Sequence, residues 1–130
     1  RRLSPNVFTF GSLMSCLARS RDADGAVRLL RRMQDEFKVQ PNAVVYSTAI
    51  SACERSVPPK PDLALELLNE AASNPEIELG VVGYNAALSA LARAEDWRRA
   101  AWLLEEMEGM GRTEEKEKEE KEKEKEKEKE

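Results

Sequence analysis

This chain of 130 residues carries 21 basic and 25 acidic side chains and no histidine, so it has room for one ordinary domain and no excess of positive charge. That balance excludes a nucleic-acid-binding domain held by bulk charge. The absence of histidine removes Ser-His-Asp and Cys-His catalysis and the commonest zinc ligand.

No apolar run approaches the roughly 18 residues that a membrane span needs. Cys16 and Cys53 both lie in apolar helical patterns, where they read as small buried residues of a helix interface. Two such cysteines make no disulfide framework.

The chain opens on Arg1 instead of Met, as expected of a fragment of a longer protein or a processed product. Residues 1–21 hold Arg1, Arg2, Arg19 and Arg21, several serines and no acid, a composition that suits an organellar transit peptide. Residues 7–20 nevertheless fall in a frame that occurs three times, and they are read as folded structure. The three copies are VFTFGSLMSCLARS at 7–20, AVVYSTAISACERS at 43–56 and VVGYNAALSALARA at 81–94. Each has an aromatic residue fourth (Phe10, Tyr46, Tyr84), serine ninth (Ser15, Ser51, Ser89) and arginine thirteenth (Arg19, Arg55, Arg93).

Phe10, Leu13, Met14 and Leu17 form one helical stripe, and Tyr84, Ala87, Leu88 and Leu91 repeat it. The aromatics belong to that stripe and are expected in the core. Asn6 and Asn42 stand where an Asx side chain caps a helix, behind the extended entries set by Pro5 and Pro41. The second halves, at 22–33, 60–71 and 95–107, align on Ala26, Ala64 and Ala100 and on Leu29-Leu30, Leu67-Leu68 and Leu103-Leu104. Asp22 or Asp24, Asp62 and Glu95-Asp96 mark their starts and oppose the positive end of the helix dipole.

The period is 36 residues from Val7 to Ala43 and 38 from Ala43 to Val81, the longer unit containing the proline-rich link SVPPKPD. Paired helices at that period are expected to stack as a solenoid, because one pair cannot bury its apolar face alone. The units run at about 7–42, 43–80 and 81–111. Gly109 and Gly111 separate the last helix from a tail, 112–130, with 8 basic and 10 acidic residues and no apolar one. The body before it therefore has 13 basic residues against 15 acidic. Such a tail is expected to be solvated, as a disordered segment or a lone helix, and its balanced charge makes it a poor clamp for RNA.

The openings VFTF, VVYS and VVGYN and the closings AVRLLRRM, ALELLNEA and AAWLLEEM resemble the pentatricopeptide repeat (PPR) over about residues 5–111. The tetratricopeptide repeat fits less well. Large residues (Met14, Ile50, Leu88) stand where its first helix has glycine, and no tryptophan opens the units.

The resemblance implies an all-α fold, a right-handed α-solenoid of about three antiparallel helix-turn-helix repeats. It also implies modular single-stranded RNA binding, about one base per repeat, in mitochondrion or plastid RNA metabolism. Carried over by position, the base-reading candidates are Gly11 with Asn42, Ser47 with Gly80, and Asn85; the base-packing candidates are Phe8, Val44 and Val82. Gly11 and Gly80 have no side chain to read a base, so no unit holds an intact pair and no target follows. Asn42 is better explained by a helix cap, and Asn85 as well by solvent exposure.

Arg19, Arg55 and Arg93 share one offset, so stacked units place them in a row, as a phosphate track requires. Cations also favour helix C-termini on their own. Trp102 takes the place of Arg28 and Glu66, which predicts exposure. It is a candidate for contact with a following repeat or partner, or a cap over the end of the stack.

The leading reading is a non-catalytic RNA-binding module with no cofactor, metal, membrane or small-molecule substrate. The competing reading is a protein-interaction scaffold, favoured by the acidic balance, the two glycines and Trp102.

Overall fold

The computed structural model describes residues 3–129; Arg1, Arg2 and Glu130 lie outside them. Six helices follow in order: α1 (Val7–Arg19), α2 (Ala23–Asp35), α3 (Ala43–Arg55), α4 (Pro61–Ala72), α5 (Val81–Arg93) and α6 (Trp97–Glu128). Among the described residues there is no strand, and the arrangement is that of a helical-repeat solenoid. Two compact units divide at Trp97, with α1–α5 in the first and Arg98 onward in the second.

The helix starts follow local chemistry. Asn6 accepts hydrogen bonds from the backbone N–H groups of Phe8 and Thr9 at 3.0 and 3.1 Å, and Thr9 Oγ1 accepts one from Asn6 N–H, closing a capping box on α1. Asp22, not Asp24, caps α2, by accepting from Gly25 N–H at 2.8 Å. Asn42 caps α3 through Val45 N–H at 3.0 Å. Pro61 opens α4 where its missing N–H costs nothing, and Asp62 stands in the first turn.

The turns after α1 and α5 are the same object. Arg21 N–H donates to Ala18 and Asp22 N–H to Leu17; Glu95 N–H donates to Ala92 and Asp96 N–H to Leu91. This is a Schellman closure, and it puts Arg21 (φ 59°) and Glu95 (φ 58°) in the left-handed region without glycine.

In the first unit the first helices lie side by side, α1 against α3 and α3 against α5. Ala49, Ala52, Ala87 and Ala90 are fully buried, as is the Gly83 position, and their small size lets the backbones approach. Phe10, Met14, Tyr46 and Ile50 fill the core beside Leu30, Met33, Leu67 and Leu68 of the second helices.

The second helices α2 and α4 have no such backbone contact. Polar side chains span the space instead. Arg31 donates to both carboxylate oxygens of Glu70 at 2.6 and 2.7 Å, and Tyr46 Oη and Gln34 donate to the same carboxylate. Lys60 pairs with Asp24 at 2.8 Å. The first-helix layer is therefore the closer one, and the stack of α1–α5 closes on that side.

Three expectations need correction. Cys16 is exposed, while Cys53 is buried. Leu13 is half exposed although it belongs to the apolar stripe. Both exposures have one cause: their counterparts, Ala49 and Ala52 on α3 and Ala87 and Ala90 on α5, are covered by the preceding first helix, and no helix covers that side of α1. Tyr84 is less buried than Phe10 and Tyr46.

In the second unit, α6 runs without a break through Gly109 and Gly111, where a separation was expected. Ala100 and Leu103 are its buried residues, and residues 109–112 and 115–129 are exposed.

Candidate nucleic-acid interface

The first turns of α1, α3 and α5 carry Phe8, Val44 and Val82 at one helical offset. Their exposures are 78%, 67% and 71%, so the same position is exposed in all three units. Gly11, one turn after Phe8, joins it in lining a hollow with Ser12, Ser15, Asn42 and Val44. A methyl group at Gly11 would touch nothing within 4 Å, so this surface is open in front of the helix backbone. Asn42 reaches the hollow with its carbonyl oxygen committed to the α3 cap; its amide N–H groups remain as the polar edge it can offer.

A second hollow repeats the arrangement between α1 and α3. Ser47, Thr48, Ser51 and Arg55 face Ser15 and Arg19 across it, and Val82 closes its end. Three of the hydroxyls that line these hollows are turned inward: Ser12 donates to Phe8 carbonyl, Ser15 to Gly11 and Thr48 to Val44. Asn85 is exposed on α5. Gly80 is exposed at the N-cap of α5, again with open space in front of it.

Arg19, Arg55 and Arg93 end the three first helices and converge. Together with Arg21 they alone line a third hollow of about 290 Å³. No acid lines it. Among the described residues Arg19 and Arg55 have no ion pair, whereas Arg93 donates to the Glu54 backbone carbonyl and lies 3.8 Å from that residue's carboxylate. Arg21 escaped the repeat frame because its counterparts, Val57 and Glu95, are not basic.

The row of exposed apolar side chains and the row of arginines thus lie along one helix layer, at opposite ends of the same three helices. The sequence pattern of the PPR repeat family matches residues 5–55, and that of the PPR repeat matches residues 82–112, together more than half of the chain. The chain belongs to the pentatricopeptide repeat family. No curated protein matches it.

PPR modules typically bind RNA and are generally non-catalytic. In this PPR protein no group of acidic or cysteine residues among the described ones is placed to hold a metal ion. None of its helices is long and apolar enough to cross a membrane, among the same residues. Trp102 of α6 is half exposed, and Trp97 more so, at 73%.

Proposed function

We propose that this PPR module binds single-stranded RNA along its first-helix layer. Phe8, Val44 and Val82 pack beside successive bases, and Arg19, Arg55 and Arg93 hold the phosphates. Asn42, Ser47 and Asn85 offer polar groups to base edges; Gly11 and Gly80 leave gaps that any base fills. The observation that carries this reading is the convergence of three arginines at a shared helical offset, Arg19 and Arg55 without an ion pair among the described residues and Arg93 beside Glu54, at the other end of the helices from a row of exposed apolar side chains. It overcomes the slightly acidic body because phosphate contact depends on local charge, not on the sum. No role is given to catalysis. Family membership suggests mitochondrial or plastid RNA processing, stability or translation as the setting.

The test is fluorescence anisotropy of a random single-stranded RNA pool against the whole chain over a range of salt concentrations. Binding is expected to weaken with salt. The Arg19→Ala, Arg55→Ala, Arg93→Ala triple variant is expected to lower the slope of log K against log salt by about 2, from roughly 0.7 per neutralised phosphate on a single strand. A chain that is folded by circular dichroism and binds no RNA at low salt would sink the proposal. It would favour the second reading, a protein scaffold contacted through Trp102, whose exposure is what supports it.

A further inference from the structure

We propose that the four-arginine hollow is a subsite for the terminal phosphate of a single strand, so that RNA with a phosphorylated end binds better than RNA ending in hydroxyls. This rests on the single-strand reading above and adds to it. An internal phosphodiester carries one charge, and one arginine per repeat meets it. A terminal phosphomonoester carries about −1.5 to −2 at pH 7 and presents three strong acceptor oxygens. Arg21 is the cation that a one-per-repeat track leaves unexplained.

Arg21 is held in place. Its backbone sits in the left-handed region, closed by the Arg21-to-Ala18 and Asp22-to-Leu17 hydrogen bonds, two residues past Arg19. The same backbone conformation in the third unit holds Glu95, and the corresponding residue of the second unit is Val57. Charge therefore falls along the row. The α1 end has Arg19 and Arg21, with the Asp22 that follows committed to the α2 cap; in the middle Arg55 stands without a basic turn residue; at the α5 end Arg93 is engaged by Glu54, and the turn carries Glu95. A gradient of this kind distinguishes one end of a strand from its interior.

The lining points the same way. Four guanidinium groups and no apolar or acidic side chain surround the hollow. Gathered there with only Glu54 at the Arg93 side to offset them, they repel one another, and an oxyanion with several acceptors relieves that repulsion through planar, bidentate contacts. A neutral ligand or a bare base gains nothing comparable.

The test compares three short oligouridines bearing an internal fluorophore, one with both ends hydroxyl, one with a 5′-phosphate and one with a 3′-phosphate, each titrated with the whole chain. One phosphorylated RNA is expected to bind about five- to tenfold tighter than the hydroxyl-ended strand, the scale of one extra charge-assisted contact. Arg21→Ala is expected to bring that ratio close to one, and so is Arg21→Glu, a variant the fold accepts because Glu95 takes the same backbone conformation in the third unit.

Equal affinity for the three RNAs overturns the subsite and leaves strand binding standing, as does an undiminished ratio in both Arg21 variants. No binding of any RNA by a folded chain overturns this proposal and the parent reading together. Inorganic pyrophosphate is the control for a free anion: if it displaces the phosphorylated RNA at concentrations near that RNA's own Kd, the hollow is a site for free polyanions and the terminal-phosphate assignment fails.

Discussion

Gly11 and Gly83 are both helical glycines on first helices, yet a side chain means opposite things at the two. At Gly11 an added methyl meets nothing within 4 Å; at Gly83 it would lie 2.6 Å from the Leu79 side chain in a buried contact. Gly11→Ala is therefore expected to raise stability by about 0.5–1 kcal/mol, the helical cost of glycine, seen as a higher Tm. Gly83→Ala is expected to lose that gain to crowding. The cysteines differ as sharply. Burial pushes the Cys53 thiol up to about 11, while Cys16 is exposed. Iodoacetamide at neutral pH is expected to label Cys16 in the native chain and Cys53 only after unfolding, as read by mass spectrometry.

Between elements, α2 and α4 depend on the bracket of Arg31, Gln34, Tyr46 and Glu70, because no backbone approach joins them. The Arg31 hydrogen bonds hold the Glu70 carboxyl below its ordinary 4.5, against the effect of burial, with Tyr46 and Gln34 helping. A carboxyl lowered on folding contributes stability above about pH 4.5 that is lost as pH falls through the folded value. Burial, then the Glu70 hydrogen bond, pushes the Tyr46 hydroxyl from 10 up to about 12. A group raised in this way contributes fully below pH 10, and its contribution is lost as pH rises toward 12. Urea midpoints measured across pH are expected to fall at both limits. Glu70→Gln is expected to flatten the acid limb and cost about 0.5–1 kcal/mol at neutral pH, a value kept small because Arg31 is partly in water.

On the scale of the whole molecule, the close first-helix layer follows from small residues at one line of contact. Ala87 and Ala90 of α5 and Ala49 and Ala52 of α3 are each fully buried. Ala87→Leu is expected to cost about 1–3 kcal/mol through overpacking and to force α5 away from α3. It also separates Val82 and Arg93 from the rows they extend, so on the proposed reading RNA affinity is expected to fall along with Tm although none of the candidate RNA contacts has changed. A variant that loses stability but keeps full affinity in the folded state would show that the spacing of the first helices does not set the binding surface.

The sequence by itself determined the helix pairs, their caps and the rows of equivalent residues, because periodicity, Asx caps and short links act within a few residues and copies in one frame must stack alike. Asn6, Asn42, Phe10 and Tyr46 were legible for that reason, and so was the shared offset of Arg19, Arg55 and Arg93. What breaks the repeat was not. The exposure of Leu13 and Cys16 depends on which helix covers which face. The capture of Arg93 by Glu54 joins residues 39 apart, as does the bracket from Arg31 to Glu70. Arg21 enters the arginine hollow only because the turn after α1 aims it there. Such contacts are set by the distance between packed helices, and that distance belongs to the tertiary structure alone.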